Sequence, residues 1–361
     1  MVEKARTVNA MKRWCSNAAR RLPTLLLGVF GGGVAYVIHM PLPWLLGSLI
    51  VTTVLSLGGM RLQAPTTLRK AVLVVIGVML GTAFTADMSG DITLWAASLG
   101  IMLVSTAIMM MVSVWMSRRI AGNSIDTAAY AGMPGGVSTV ILMASETSAD
   151  LRVVGLTHAV RILVLLLAIP PLLQIIGHVS LQAPVMSLAQ WFSFPGFMDT
   201  LWLIGAGLVG FWLGRLLRLP NPLLFGPVLA SAALHITGIS DASVPPFIVA
   251  FAQVLIGVSV GVRFGGTSLK EVGFNLLIAF VQALVLLLIA FVAAWVAYAL
   301  TGYSAAAALL AYMPGGAPEL SLVALSLGIE PAFVTSHHLL RITVLILLTP
   351  MLVAWMKRLH R

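Results

Sequence analysis

The polar positions of this chain separate long apolar runs, and neither a period-two nor a period-3.6 alternation dominates. Runs able to cross a ~30 Å hydrocarbon core, with tilt or local thinning, fall at about 22–39, 42–58, 71–86, 92–117, 152–177, 199–214, 221–237, 246–262, 273–300 and 332–355. The pattern predicts ten membrane-spanning helices. Two further segments, about 125–147 and 303–328, are weaker, and Met-Pro-Gly-Gly breaks each at its centre. The fold class expected is all-α: a polytopic membrane protein of about ten transmembrane helices with two broken or re-entrant Pro-Gly-Gly segments.

Composition agrees with this and removes the soluble alternative. Only 9% of residues are charged, against about 25% in a soluble domain, and 60% are hydrophobic. The net charge of +10 points to no nucleic-acid partner, because the basic residues sit in short clusters between apolar runs, as in cytoplasmic loops. Residues 1–21 read as a basic cytoplasmic leader holding Lys4, Arg6, Lys12, Arg13, Arg20 and Arg21. The single cysteine, Cys15, excludes an intramolecular disulfide and any CxxC metal or redox motif.

Charge also decides between two topologies. If each broken segment enters and leaves on one side, 19 of the 21 Lys and Arg face the cytoplasm and the other two lie within spans. If the broken segments cross, Arg152, Arg215, Arg218, Arg263 and Lys270 move outside. The positive-inside rule prefers the first arrangement, with both termini cytoplasmic in the cell inner membrane. Unwound helices in some other arrangement stay open.

The chain is internally duplicated. Aligned at an offset of 180, residues 133–170 and 313–350 share 14 identities in 38 positions, where chance in so apolar a sequence gives about three or four. The matches include Met133-Pro134-Gly135-Gly136 with Met313-Pro314-Gly315-Gly316, His158 with His338, and Arg161 with Arg341. Gly77 and Gly81 match Gly257 and Gly261, two GxxxG pairs that predict close helix contacts. The units are membrane repeat 1 at 22–180 and membrane repeat 2 at 198–356. Five crossings and one hairpin make an odd number per repeat, so the two repeats carry inverted topology, as in many secondary transporters whose sites lie where broken helices meet at mid-membrane.

The candidate chemistry concentrates at the breaks. A helix restarting after Pro134-Gly135-Gly136 or Pro314-Gly315-Gly316 points free amides and a positive dipole end at the gap. His158 and Arg161, like His338 and Arg341, stand at i and i+3 on one helix face, and an arginine at mid-membrane faces a partner or a water-filled cavity. Two readings stay open. The arginines hold an anionic solute, or they cap hairpin carbonyls and pair with buried acids. Glu319 corresponds to Thr139 and Glu146 to Ser326, so the acids break the symmetry. Glu319, His158 and His338 are the candidates for ion coupling; Glu146 reads as interfacial, and Ser138, Thr139 and Thr157 are weaker hydroxyl candidates.

The segments MPGGVSTVILMA with ADLRVVGLTHAVRI, and YMPGGAPELSLVALSLGIEPAFVTSHHLLRI, resemble the two signatures of the AbrB family of integral membrane proteins, which is distinct from the soluble DNA-binding AbrB. The resemblance covers nearly everything from Leu22 to Trp355 and implies this same tandem duplication. The family carries three labels: transporter, regulator of the gene aidB, and ammonia monooxygenase. The last implies a copper enzyme, which needs several convergent imidazoles; only His337, His338 and His158 come near that, beside arginines that repel a cation. His158 stands where the resemblance leads one to expect glutamine, so solute specificity does not transfer. The expectation is a non-enzymatic secondary transporter of a small anionic solute, coupled to a proton or sodium, with no cofactor. A membrane-embedded regulator acting through a partner or through solute flux, and a passive channel, are the alternatives. Homo-oligomerisation stays open.

Overall fold

The computed structural model describes residues 21–86, 92–177, 186–266 and 269–359. The leader, including Cys15, lies outside the described residues apart from Arg21. The described residues form helices joined by turns and irregular loops, without strands. In chain order the helices are α1 (Arg21–Val37), α2 (Pro43–Leu57), α3 (Thr66–Gly81), α4 (Ile92–Arg119), α5 (Ile125–Gly132), α6 (Val137–Ser145), α7 (Leu151–Gly177) and α8 (Leu188–Trp191). They continue with α9 (Phe197–Leu216), α10 (Phe225–Ile236), α11 (Pro246–Gly261), α12 (Leu269–Thr301), α13 (Ala305–Tyr312), α14 (Ala317–Leu327) and α15 (Pro331–Leu359). Among the described residues six helices, namely α4, α7, α9, α11, α12 and α15, are long and apolar enough to cross a membrane by themselves.

One expected span is shortened. The run at 221–237 becomes a helix only from Phe225, because Pro220 and Pro222 withhold amide donors and the segment before Phe225 forms turns. At 12 residues and 1.5 Å per residue, α10 reaches about 18 Å. Its partner in the repeat, α2, has 15 residues. These short helices sit inside the bundle against glycine faces. A methyl built on Gly77 or Gly81 of α3 would meet backbone of α10 at Leu224 O and Val228 O, both at 2.7 Å. One on Gly257 of α11 would meet Leu45 O of α2 at 2.5 Å. The expected GxxxG contacts are therefore a crossed pair of crossings: α3 on α10, and α11 on α2. Ser231 Oγ donates to Val78 O at 2.8 Å across the first.

The broken segments are re-entrant hairpins. At the mouth of the first, Ser148 Oγ donates to Asp126 Oδ2 at 2.6 Å and the Asp150 amide donates to Thr127 Oγ1 at 2.9 Å. The start of α5 and the chain leaving α6 are thus adjacent. At the second mouth the Ser304 amide donates to Glu330 Oε1 at 3.4 Å. Helix α15 shows that the two open on opposite sides. Its first residue, Pro331, follows Glu330 at the second mouth, while Lys357 near its far end pairs with Asp126 at the first mouth, Nζ to Oδ1 at 2.7 Å. The 26 residues between them rise about 39 Å, so the repeats are inverted.

Candidate functional site

Each hairpin is built the same way. Ser124 and Ser304 cap α5 and α13, their side chains accepting the amides of Thr127 and Ala307 at 3.2 and 3.1 Å. Pro134 and Pro314 end the helices, because proline disfavours the helical region for the residue before it. Met133 and Met313 are accordingly extended (φ −62°, ψ 116°; φ −55°, ψ 133°). Gly136 and Gly316 are extended N-caps of α6 and α14. None of the four break glycines has a positive φ. Their value is the space left by a missing side chain, which at Gly316 another residue fills.

Position along α15 puts the two tips together. Arg341, ten residues or about 15 Å after Pro331, donates through Nη1 to Met313 O and through Nη2 to Ala311 O. Leu345 shares a core cluster with Met133, and Thr349 Oγ1 lies 3.4 Å from Met133 Sδ. The tip of the second hairpin therefore rests at residue 341 and the tip of the first at residues 345–349. They meet in the middle of the helix.

The His and Arg pairs reach the ends of the first half-helices. On α7, His158 Nε2 bonds Tyr130 O at 3.0 Å, and Arg161 Nη2 donates to Met133 O at 3.0 Å and to His158 Nδ1 at 2.9 Å. A carbonyl at Nε2 and a guanidinium donor at Nδ1 leave the ring neutral with its proton on Nε2. On α15, His338 Nε2 bonds Leu310 O at 3.1 Å. The C-terminal carbonyls of a helix lack intrahelical partners, and these side chains satisfy them. The capping half of the two sequence readings is thus present. Both guanidiniums are buried, Arg161 at 2% and Arg341 at 1% exposure. Arg161 Nη1 and Nε, and Arg341 Nε, nevertheless bond nothing.

Glu319 lies in the first turn of α14, buried, its carboxylate folded against Gly316 and its Oε2 without a hydrogen bond. Thr139, its counterpart on α6, is half-buried. Thr157 is buried, Glu146 is the exposed C-cap of α6, and the Ser138 side chain is outside the described residues.

Sequence reasoning missed three features. Arg263, assigned to a loop, lies within electrostatic range of Glu319, Arg69 and His158, and Arg161 lies within range of Arg341. Arg161, Arg341 and Arg263 therefore outnumber Glu319, the buried carboxylate within electrostatic range of Arg263. The signal was available: Arg69 and Arg263 stand where the other repeat has Val249 and Ala83. Second, Ser98 of α4 bonds His337 Nε2 at 2.9 Å and contacts the Tyr312 hydroxyl at 3.0 Å, and that hydroxyl donates to Ser98 O at 2.6 Å. This network holds the second tip to α4, and no local motif announces it. Third, the Lys357–Asp126 pair closes the first mouth across 231 residues of sequence.

A family model described as "Transition state regulatory protein AbrB" matches residues 15–357. Two relatives are similar over most of their length. The "Uncharacterized protein YhjN" of Bacillus subtilis (strain 168) is 24% identical over 366 aligned residues, covering 95% of both chains. The "Putative regulator AbrB" of Escherichia coli (strain K12) is 26% identical over 318, covering 87% of this chain and 89% of the relative.

Proposed function

Because the chain belongs to the AbrB family, whose model spans nearly all of it, and because inverted hairpins meet at mid-bundle among buried arginines, we propose that it is a secondary transporter. In this reading it carries a small anionic solute across a bacterial inner membrane, with both termini in the cytoplasm. It performs no catalysis and uses no cofactor or nucleic acid.

The observation that carries the reading is the charge imbalance at the tips. A buried arginine costs about 2.5–3.5 kcal/mol on insertion scales, and such charges persist where a partner offsets them. Hairpin carbonyls take part of Arg161 and Arg341, but Nη1 and Nε of Arg161 stay unpartnered inside the bundle. An anion at the breaks, between Pro134-Gly135-Gly136 and Pro314-Gly315-Gly316, satisfies those donors together with the amides opening α6 and α14. A broken helix can bind and release without exposing backbone to lipid, since its polar groups line the cavity. Glu319 is the coupling residue this arrangement favours. His158 already uses both ring nitrogens, so it takes up a proton only when Arg161 moves away; His338 holds the matching place on α15.

The test is electrical. Purified protein is reconstituted in liposomes on a solid-supported membrane and challenged with jumps of small carboxylates, phosphate esters and inorganic anions. A saturable current from one solute class, absent with Arg161→Gln, is the expected result. Silence across the panel from well-folded protein defeats the reading. It would favour a second one, a regulator acting through a partner, for which the name of the Escherichia coli relative speaks.

A further inference from the structure

The two tips are copies of one design, and one of them is already occupied by the protein itself. Gly136 and Gly316 are equivalent N-caps, and the third residue of the helix that follows is Thr139 in one and Glu319 in the other. A carboxylate at that position reaches back over the N-cap, where orphan amides and the positive helix end attract it. Glu319 does so: a methyl built on Gly316 would overlap its Oε2, with Oε1 at 3.1 Å. Around the same point on Gly136, no described atom other than those of the glycine and its two chain neighbours comes within 4 Å, and Thr139 is half-buried. This cradle is not electrically idle. Arg161 anchors one nitrogen on Met133 O, three residues before Gly136, and its Nη1 and Nε are buried without a partner.

Resting on the transporter reading above, we propose that the solute is a carboxylate, bound at the first hairpin only, between the amides opening α6 and the spare donors of Arg161. Glu319 is the tethered counterpart that fills the second half-site and restricts the protein to one solute. The cradle over Gly316 holds a planar carboxylate, and the cradle over Gly136 is its copy without the side chain.

The experiment follows from the copying. Thr139→Glu places a tethered carboxylate over Gly136, and Thr139→Gln is the neutral isostere; Gly136→Ala puts a methyl in the cradle and serves if the charged variant fails to fold. Thermal midpoints of detergent-purified protein are measured against sodium formate, acetate, propionate, lactate and succinate, with phosphate and sulfate at matched ionic strength. A carboxylate raises the wild-type midpoint by mass action; phosphate and sulfate do not. Thr139→Glu weakens that carboxylate at least about ten-fold, because the tethered group is present at high effective concentration. Gly136→Ala also weakens it, and Thr139→Gln, which can fill the same space but carries no charge, weakens it less than Thr139→Glu. Phosphate or sulfate acting as strongly as any carboxylate, or Thr139→Gln losing binding as fully as Thr139→Glu, overturns this assignment and leaves the anion-transport reading standing. A wild type that responds to no anion overturns both.

Discussion

The glycine crossings that hold the scaffold can be tested by adding one methyl group. In Gly81→Ala the new carbon would sit 2.7 Å from Val228 O and 2.8 Å from Ala232 N, and closer still to Ser231 Cβ. Ordinary contact begins near ~3.5 Å, so to clear Ser231 Cβ α10 has to withdraw from α3 by about 1.1 Å, or its backbone has to bend. The opposing atoms are backbone or the Cβ fixed directly to it, and no flexible side chain can yield. Overpacking of this kind costs about 1–3 kcal/mol. Gly205→Ala on α9 is the control, since nothing lies within 4 Å of the added carbon; there the exchange gains up to about 1 kcal/mol of helix propensity. The two variants should move in opposite directions. Stability is read as the midpoint of SDS-induced unfolding from mixed micelles. A Gly81→Ala protein as stable as wild type, or less destabilised than Gly205→Ala, would refute the proposed crossing of α3 and α10.

Other outcomes follow from the hairpins. Arg341→Gln leaves Ala311 O without the partner seen here, at a cost of about 1–3 kcal/mol, whereas in Arg161→Gln the Met133 carbonyl keeps the Gly135 amide at 2.9 Å; the same unfolding assay should find Arg341→Gln the less stable. Asp126 is 2% exposed and holds both Lys357 and Ser148, so Asp126→Asn should speed hydrogen exchange across residues 145–150 more than Lys357→Met does, because Lys357 is 46% exposed and its charge is screened. In a Cys15→Ala background, Ser145→Cys and Ser326→Cys, both exposed at opposite hairpin mouths, should react with an impermeant maleimide from opposite faces of sealed vesicles. Labelling of both from one face would contradict the inverted arrangement.

Much of this architecture was legible because it depends on local composition. Apolar runs and sparse charge specify membrane helices whatever their neighbours do. The identities linking His158 to His338 and Arg161 to Arg341 exposed the duplication, and the positive-inside rule preferred re-entrant segments over crossing ones. Pro220 and Pro222 also carried the reason that α10 is short, although apolar length alone hid it. The candidate site was legible as two motifs and a symmetry break at Glu319.

What the chain specified by itself, then, was the helix inventory, the twofold repeat and the breaks at Pro134 and Pro314. These follow from hydropathy and from the backbone limits of proline, which act within a few residues. Only the tertiary structure decided what the buried groups bond to. Arg161 and Arg341 cap carbonyls 28 and 30 residues away, Ser98 meets His337 across 239 residues, and Glu319 closes the cradle over Gly316 while no described side chain closes the one over Gly136. A buried polar side chain must be satisfied by whatever packing brings near it, and packing is a property of the whole bundle.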